Sequence, residues 1–325
     1  MNPKQKERDY ADYQQAVYDC AECYRKLNYP ERAVNLYRMA SEYVGNKFPY
    51  ARFHHGAMLK LLGKFEEARQ QYEAFLERYT QEDSYRETAQ REIKSLAFIQ
   101  QQYARWDLPY YKTNPVVFNQ TDSGANYSIL AWKGDTTLFN SSRPRSERLH
   151  YANRVYSGVL HGDSLVDVDL LQLTQPADQH QAVTTITRDG KQVYFTRWWT
   201  ADGKKRTSVW RSKYEKKAWS QPEELKLGSP AGYNDQQPYI YDEAGVSYLL
   251  FSSDRPGGLG GYDLYAARLD VTGAPEAAVN LGQAVNTNRD EFAPVFAGGM
   301  LMFASDGRVG MGGLDPLDFL EGLIS

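Results

Sequence analysis

The chain has 325 residues, 42% of them hydrophobic and 24% charged, with a formal net charge of -3. That length fits about two domains, each large enough to bury its own core. Residues 1–105 carry 17 Lys and Arg against 15 Asp and Glu, and the remainder 21 against 26; neither part has the basic excess that neutralises a phosphate backbone, which argues against nucleic acid as a partner, and no run of about 18 apolar residues is present to span a membrane as a helix.

Met1–Tyr10 is polar and charged, without the apolar core of a signal peptide, so as written the chain is expected not to be exported. From there to residue 105 the pattern is helical. Tyr13, Val17, Cys20, Tyr24 and Leu27 recur at steps of three and four. Pro30 stands at a first helical position with Glu31 in the first turn, and Ala33, Leu36, Tyr37 and Ala40 form the next stripe. Cys20 and Cys23 share one helix face. With no second cysteine pair and no nearby histidine, they are read as ordinary buried thiols and not as a redox or metal pair.

The stripe then repeats. Ala21 and Gly56, Tyr24 and Leu59, Ala33 and Ala68, and Tyr37 and Tyr72 are each 35 residues apart. Small residues at two of these positions let helices approach, and large ones at the other two fill the groove between them. A period near 34 residues marks stacked helix–turn–helix units. Gly63-Lys64-Phe65 supplies the turn of the second unit, whereas Asn28 stands at the turn of the first. The string LLGKFEEARQQYEAFLERY (61–79) resembles the tetratricopeptide repeat. A fifth helix over 83–104 is expected to cap the open end. Such repeats serve either as packing modules or as grooves that hold a partner peptide; Tyr10, Tyr13, Arg52 and His55 are candidates to line one.

Pro109, Pro115 and the TDSGAN run (121–126) mark a linker over 106–125. Beyond it, Phe139 in GDTTLFNSSR, Phe195 in DGKQVYFTR, Phe251 in AGVSYLLFSSDR and Phe303 in GGMLMFASDGR stand 56, 56 and 52 residues apart. Each follows a glycine-bearing turn and a β-rich run. In the third copy, Pro238–Tyr241, Ser247–Ser252, Asp263–Arg268 and Ala278–Leu281 are the expected strands, with a glycine-rich loop over 254–261. A four-stranded unit repeated near 50 residues is a propeller blade. In the fourth copy, Pro316 falls where a strand is due and removes a ladder donor, so that blade is expected to break off.

FSSDRPGGLGGYDLY (251–265) and FASDGRVGMGGLD (303–315) resemble the WD40-like repeat of the Tol-type periplasmic propeller, and more closely the propellers of Bacteroidetes-type cell-envelope proteins. In that family tetratricopeptide repeats precede the propeller and an OmpA-like domain often follows, as in the type IX secretion lipoprotein that links outer membrane to peptidoglycan. The resemblance implies a periplasmic or outer-membrane-associated scaffold with protein partners from the envelope or secretion machinery. The lack of a signal peptide leaves a cytoplasmic location open. Without an OmpA-like domain, peptidoglycan binding is not expected.

The sequence carries no Gly-x-Ser-x-Gly elbow, no His-Glu-x-x-His and no phosphate-cradling loop, and its five histidines are dispersed. No enzyme activity, cofactor or metal is expected. The alternative readings are a propeller hydrolase or carbohydrate-active protein, and a truncated fragment. Asp254, Gly257, Gly258, Gly260, Gly261, Asp263, Asp306, Gly312, Gly313 and Asp315 are read as structural blade-loop residues, because a calcium-binding roll would repeat every nine residues. Where the third copy has this loop, the second has Arg197-Trp198-Trp199. Side chains alternate along a strand, so at least one Trp is expected at a loop surface. The trio is either a partner or carbohydrate contact or packing against the neighbouring blade. The fold class is thus α + β multidomain: a helical-repeat solenoid of about five helices (1–105), a linker (106–125) and an all-β, incomplete propeller of about four blades (126–325), the last truncated.

Overall fold

A computed structural model describes residues 3–110, 112, 117–118, 124–143, 152–310 and 315–319. The chain divides near residue 111 into two compact units, one helical and one built of antiparallel sheets.

The helical unit contains α1 (Pro3–Lys26), α2 (Pro30–Glu42), α3 (Ala51–Leu61), α4 (Phe65–Leu76) and α5 (Ser84–Tyr103). The 35-residue repeat is real in space. Ala33, Ala68, Tyr37 and Tyr72 are all buried, in two consecutive core clusters, one joining α1, α2 and α3 and the next joining α3, α4 and α5. A Cβ at Gly56 would stand 3.2 Å from the Tyr72 ring, which is why the smallest residue occupies that close approach. The two turns are also equivalent. Tyr29 N–H donates to Tyr24 O (2.9 Å) and Lys64 N–H to Leu59 O (2.9 Å). Asn28 adopts φ +58 where Gly63 adopts φ +73, so Asn takes up the left-handed conformation that usually requires glycine. Asp83 caps α5, accepting from the N–H groups of Tyr85 and Arg86.

The cysteines differ from expectation: Cys20 and Cys23 are both exposed. Val17 and Ala21 are the buried residues of that stretch of α1, and the 100° step per residue turns positions 20 and 23 away from their stripe. No helix among the described residues is long and apolar enough to cross a membrane.

Among the described residues the second unit holds four sheets. Sheet 1 comprises β1 (Val117–Phe118), β2 (Asn126–Lys133), β3 (Thr136–Ser141), β4 (Arg154–His161) and β5 (Ser164–Leu170). Sheet 2 comprises β6 (His180–Ile186), β7 (Gln192–Ala201), β8 (Lys204–Glu215), β9 (Ala218–Trp219) and β10 (Glu223–Glu224). Sheet 3 comprises β11 (Asp235–Glu243), β12 (Val246–Ser253), β13 (Asp263–Leu269) and β14 (Val279–Asn280), and sheet 4 β15 (Glu291–Ala297), β16 (Met300–Ser305) and β17 (Asp315–Phe319). All pairings are antiparallel meanders except β1, which joins the outer strand β5 in parallel. Part of the segment read as linker is therefore a strand of sheet 1.

The sheets stack face to face in chain order. Leu138 and Val155 of sheet 1 share a core with Val193 and Phe195 of sheet 2. Tyr194 and Val209 of sheet 2 meet Leu249 and Phe251 of sheet 3, and Leu250 and Leu264 of sheet 3 meet Leu301 and Phe303 of sheet 4. The four anchor rings Phe139, Phe195, Phe251 and Phe303 lie on β3, β7, β12 and β16 of successive sheets, none more than 2% exposed. The fourth copy continues further than its proline suggested: Pro316 lies within β17, opposite Ala304, and the pairing runs on to Phe319 opposite Leu301. As the outermost strand of a three-stranded sheet, β17 can carry a proline at no loss of a central ladder bond.

Each sheet also repeats one backbone irregularity. The strand before the one that carries the anchor ring bulges after Tyr127, Ala182, Gln236 and Phe292, and in sheet 1 a second time after Ala131. Within these bulges Ser128, Val183, Gln237 and Ala293 take φ between +49 and +54. The bulge turns an N–H out of its own ladder, and it finds a partner elsewhere in the unit: Val183 N–H donates to Asn140 Oδ1 of sheet 1 (3.0 Å) and Gln237 N–H to Thr196 Oγ1 of sheet 2 (2.7 Å). A second set of inter-sheet staples also recurs. Asn153, Thr207 and Tyr262 donate their backbone N–H to His180 Nδ1 (3.2 Å), Asn234 Oδ1 (2.9 Å) and Asp290 Oδ1 (2.8 Å) of the next sheet. Hydrogen bonds thus fix the stacking register that apolar packing alone leaves free to slide.

Candidate functional site

The second sheet departs from the others at the end of its central hairpin. In sheets 1, 3 and 4 the pairing of the anchor-ring strand with the strand that follows it stops at Ser141–Arg154, Ser253–Asp263 and Ser305–Asp315. The equivalent pair in sheet 2 is Arg197–Ser208, and the ladder continues through Trp198–Thr207, Trp199–Arg206, Thr200–Lys205 and Ala201–Lys204. Asp202 and Gly203 close it with φ +51 and +70, a two-residue turn of the primed type that matches strand twist. The two tryptophans therefore sit on a regular hairpin and not on a loop, with both rings half-buried.

The three residues of this segment have separate environments. Arg197 is 3% exposed; its Nη2 donates to Thr174 O (2.8 Å) and its guanidinium carbon lies 3.9 Å from the Trp210 ring centroid. Burial lowers its pKa to about 10. Trp198 stacks flat on His180 (5.0 Å between centroids, 6° between planes), with the Lys205 ammonium 5.3 Å from the indole. It stands where sheets 3 and 4 carry Asp254 and Asp306. Those carboxylates accept from the backbone N–H of Asn234 (2.6 Å) and Asp290 (3.0 Å). Burial, followed by the charges of Lys205 and Arg154, lowers the His180 pKa, which keeps the ring neutral so that Nδ1 can accept from Asn153.

Trp199 points to the opposite face, as alternation requires. With Arg206 on the facing strand it lines a cleft of about 560 Å³, whose other side comes from the 224–235 segment, including Leu227, Pro230 and Tyr233. Arg206 Nη1 donates to Gly232 O, tying hairpin to segment. Tyr233 is 43% exposed. At the inner end the Ser229 hydroxyl donates to Asp235 (2.7 Å), and Asp235 is ion-paired to Arg255 (2.9 Å). These polar groups satisfy one another and leave aromatic faces, a proline and a guanidinium to meet a ligand, groups that recognise by shape and contact.

The glycine-rich segment of sheet 3 is held from within. Asp263, 1% exposed, accepts from Leu259 N–H (2.5 Å), Gly260 N–H (3.0 Å) and Asn280 Nδ2 (2.9 Å). A side chain at Gly258 or Gly260 would run into Asp263 or the Arg289 backbone. Gly257 turns at φ +91, and a Cβ at Gly261 would meet the Asp290 carboxylate. In sheet 4, Gly312 and Gly313 lie outside the described residues, and Asp315 opens β17. Among the described residues no group of three or more His, Cys, Asp or Glu side chains is placed to share a metal ion.

In the helical unit, Arg52 and His55 line a groove of about 320 Å³ between α2, α3 and α4, together with Arg38 and Gln71. Tyr10 and Tyr13 are not among its lining residues: both are exposed on α1, and Tyr10 meets Tyr43 edge-on at 6.5 Å. The inter-sheet staples were not anticipated from sequence. Their signal is the recurrence of hydrogen-bond acceptors at 180, 234 and 290, 54 and 56 residues apart.

No family model matches the chain, and no curated protein matches it. Among solved structures it is similar to an α-L-arabinofuranosidase from Lactobacillus brevis (12% identity, TM-score 0.41, 62% of this chain and 74% of that one). An endo-arabinase from Bacteroides thetaiotaomicron gives 15% identity and TM-score 0.41 over 65% of this chain and 86% of that one. A structure from a study of prolyl endopeptidases gives 18% and 0.35 over 59% of this chain and 25% of that one. Likenesses of this size carry no information about what the chain binds or does.

Proposed function

We propose that this chain is a non-catalytic protein-binding scaffold of the bacterial cell envelope, acting in outer-membrane organisation or type IX secretion. The observation that carries the reading is the cleft beside the β7–β8 hairpin, where Trp199, Tyr233 and Arg206 converge. Trp, Tyr and Arg are the residues that dominate protein-interface energetics, because they bury large areas while keeping a polar handle. The tetratricopeptide-like period of the helical unit adds a second surface of a kind used for protein contacts. The resemblance of residues 251–265 and 303–315 to envelope propellers supports a periplasmic, outer-membrane-associated location.

A carbohydrate reading has one observation in its favour: Trp199 and Tyr233 in a single cleft can also stack on sugar rings. The deciding experiment is affinity capture from an envelope extract by the intact chain and by a Trp199→Ala, Arg206→Ala variant. A partner held by the parent chain, lost with the variant and kept by Val271→Ala is the expected result. Capture that is indifferent to the cleft variant contradicts the reading. A saturable tryptophan-fluorescence change with oligosaccharides, and none with protein, would transfer the cleft to sugar binding.

A further inference from the structure

The exposure of Cys20 and Cys23 leaves two thiols on α1 without a packing role. Both are free, and both are open to solvent, although cysteine is among the most buried of residue types. Val17 and Ala21 fill the core from this stretch of helix. The two cysteines lie three residues apart in regular helix: α1 runs to Lys26, and Leu27 N–H still donates to Cys23 O (3.0 Å). Side chains at that spacing are surface neighbours, with Cβ atoms about 5–6 Å apart.

The spacing decides what the pair can do. A disulfide needs Cβ atoms about 3.5–4.5 Å apart, so a direct S–S bond would have to pull this helical turn out of shape. An ion seated between the sulfurs fills the gap instead. The number of donors then selects the ion. Among the described residues no third His, Cys, Asp or Glu is placed to join the two thiols. The carboxylates beside them in sequence are engaged elsewhere: Asp19 accepts from Gln15 Nε2 (2.9 Å), and Glu22 accepts from Arg25 Nη2 (2.7 Å) and from the Tyr37 hydroxyl. Zinc, which takes four ligands, and calcium, which takes six to eight oxygens, are both left short. Copper(I) is soft and selects thiolate, and two sulfurs in line satisfy it.

We propose that Cys20 and Cys23 form a two-coordinate thiolate site for copper(I) on the solvent face of α1. Binding replaces two S–H bonds with two S–Cu bonds and releases two protons to water, with no change in the oxidation state of sulfur or copper. Affinity therefore falls as pH falls. Two thiolates around one monovalent ion leave a single negative charge, and the exposed Lys26, one turn on from Cys23, is placed to offset it. The site lies wholly within the helical unit and does not depend on the hairpin cleft.

The test titrates the reduced full chain with copper(I), without oxygen, against the chromogenic copper(I) chelator bicinchoninate. X-ray absorption counts the sulfur neighbours of the bound ion. One copper per monomeric chain, with two sulfur neighbours, is expected. Cys20→Ser and Cys23→Ser are surface changes whose folding is checked by helical circular dichroism. Each should weaken binding more than about a hundredfold, beyond the roughly 10–100-fold cost of disturbing a ligand's supporting partner. An equal concentration of zinc should not displace the copper. The proposal is overturned by no copper held against the chelator, by one copper shared between two chains, by binding kept in either single variant, or by displacement with zinc.

Discussion

The guanidinium of Arg197 lies 3.9 Å from the centroid of the Trp210 ring, in the place where sheet 3 seats Arg255 against Phe251 and Tyr265. The two arginines differ in their counter-charge. Arg255 is ion-paired with Asp235 at 2.9 Å, whereas the residue opposite Arg197 is the neutral Gln181. The second sheet thus buries a cation with an aromatic face and a carbonyl for company, and burial depresses its pKa accordingly.

That asymmetry predicts unequal mutational costs. Arg255→Met orphans the buried Asp235 carboxylate and is expected to cost about 3–5 kcal/mol. Arg197→Met removes a charge that no carboxylate needs, and is expected to cost at least about 2 kcal/mol less. Denaturant unfolding of both variants checks the difference; equal costs would contradict the assignment.

The two helical turns predict opposite responses to glycine chemistry. Asn28→Gly relieves a left-handed non-glycine residue and is expected to stabilise the helical unit by up to about 1 kcal/mol, whereas Gly63→Ala strains an equivalent turn and is expected to destabilise it by about 1 kcal/mol. Thermal melts followed by helical circular dichroism read both.

Acid should weaken the helical unit. His54 is held to a pKa of about 4, first by burial and then by Arg25, with Glu22 opposing. The unfolded chain protonates its histidine near pH 6.5 while the folded one stays neutral. Stability is therefore full above pH 6.5 and falls as pH drops toward 4, by up to about 1.4 kcal/mol per pH unit. Glu22 has a lowered pKa, with burial opposing and its bonds from Arg25 and Tyr37 prevailing, so it adds a loss of the same sign below about pH 4.5. His54→Phe should flatten the slope between 6.5 and 4 without removing it, because burial also lowers the pKa of His55. An unchanged slope would remove His54 from the account.

The glycine-rich loop of sheet 3 is a folding element, and its chemistry can be separated from calcium binding. Asp263→Ala leaves two backbone N–H groups and the Asn280 amide without their acceptor, and should cost about 3 kcal/mol or more. Calcium or a chelator should leave the melting temperature of the parent chain unchanged. A calcium-dependent rise would contradict the structural role.

Much of the fold was legible because it rests on local periodicity. The helix expected over 83–104 is Ser84–Tyr103; three of the strands expected in the third copy fall within β11, β12 and β13, and the fourth, Ala278–Leu281, shortens to β14 (Val279–Asn280). The four phenylalanines share equivalent buried places, since a residue that must fill the gap between stacked sheets recurs at the sheet period. The staples were not legible. Asn153 reaches His180 across 27 residues and Tyr262 reaches Asp290 across 28, pairings set by the stacking of one sheet on the next. Cys20 and Cys23 were misread because a shared helix face does not say which way the face turns. At Pro316 a local rule was applied to a strand whose edge position tolerates it. The cleft was half legible: adjacent tryptophans implied two faces, but nothing local implied the four added pairs that carry Trp199 out beside Tyr233.

The most direct test of the scaffold reading is site-specific photo-crosslinking from position 199. A photoreactive phenylalanine analogue replacing Trp199 should form a discrete protein adduct in a cell-envelope fraction, while the same group at the fully exposed position 271 should form none. Identical adduct patterns from both positions, or no protein adduct from 199, would contradict the claim that this cleft docks a protein partner.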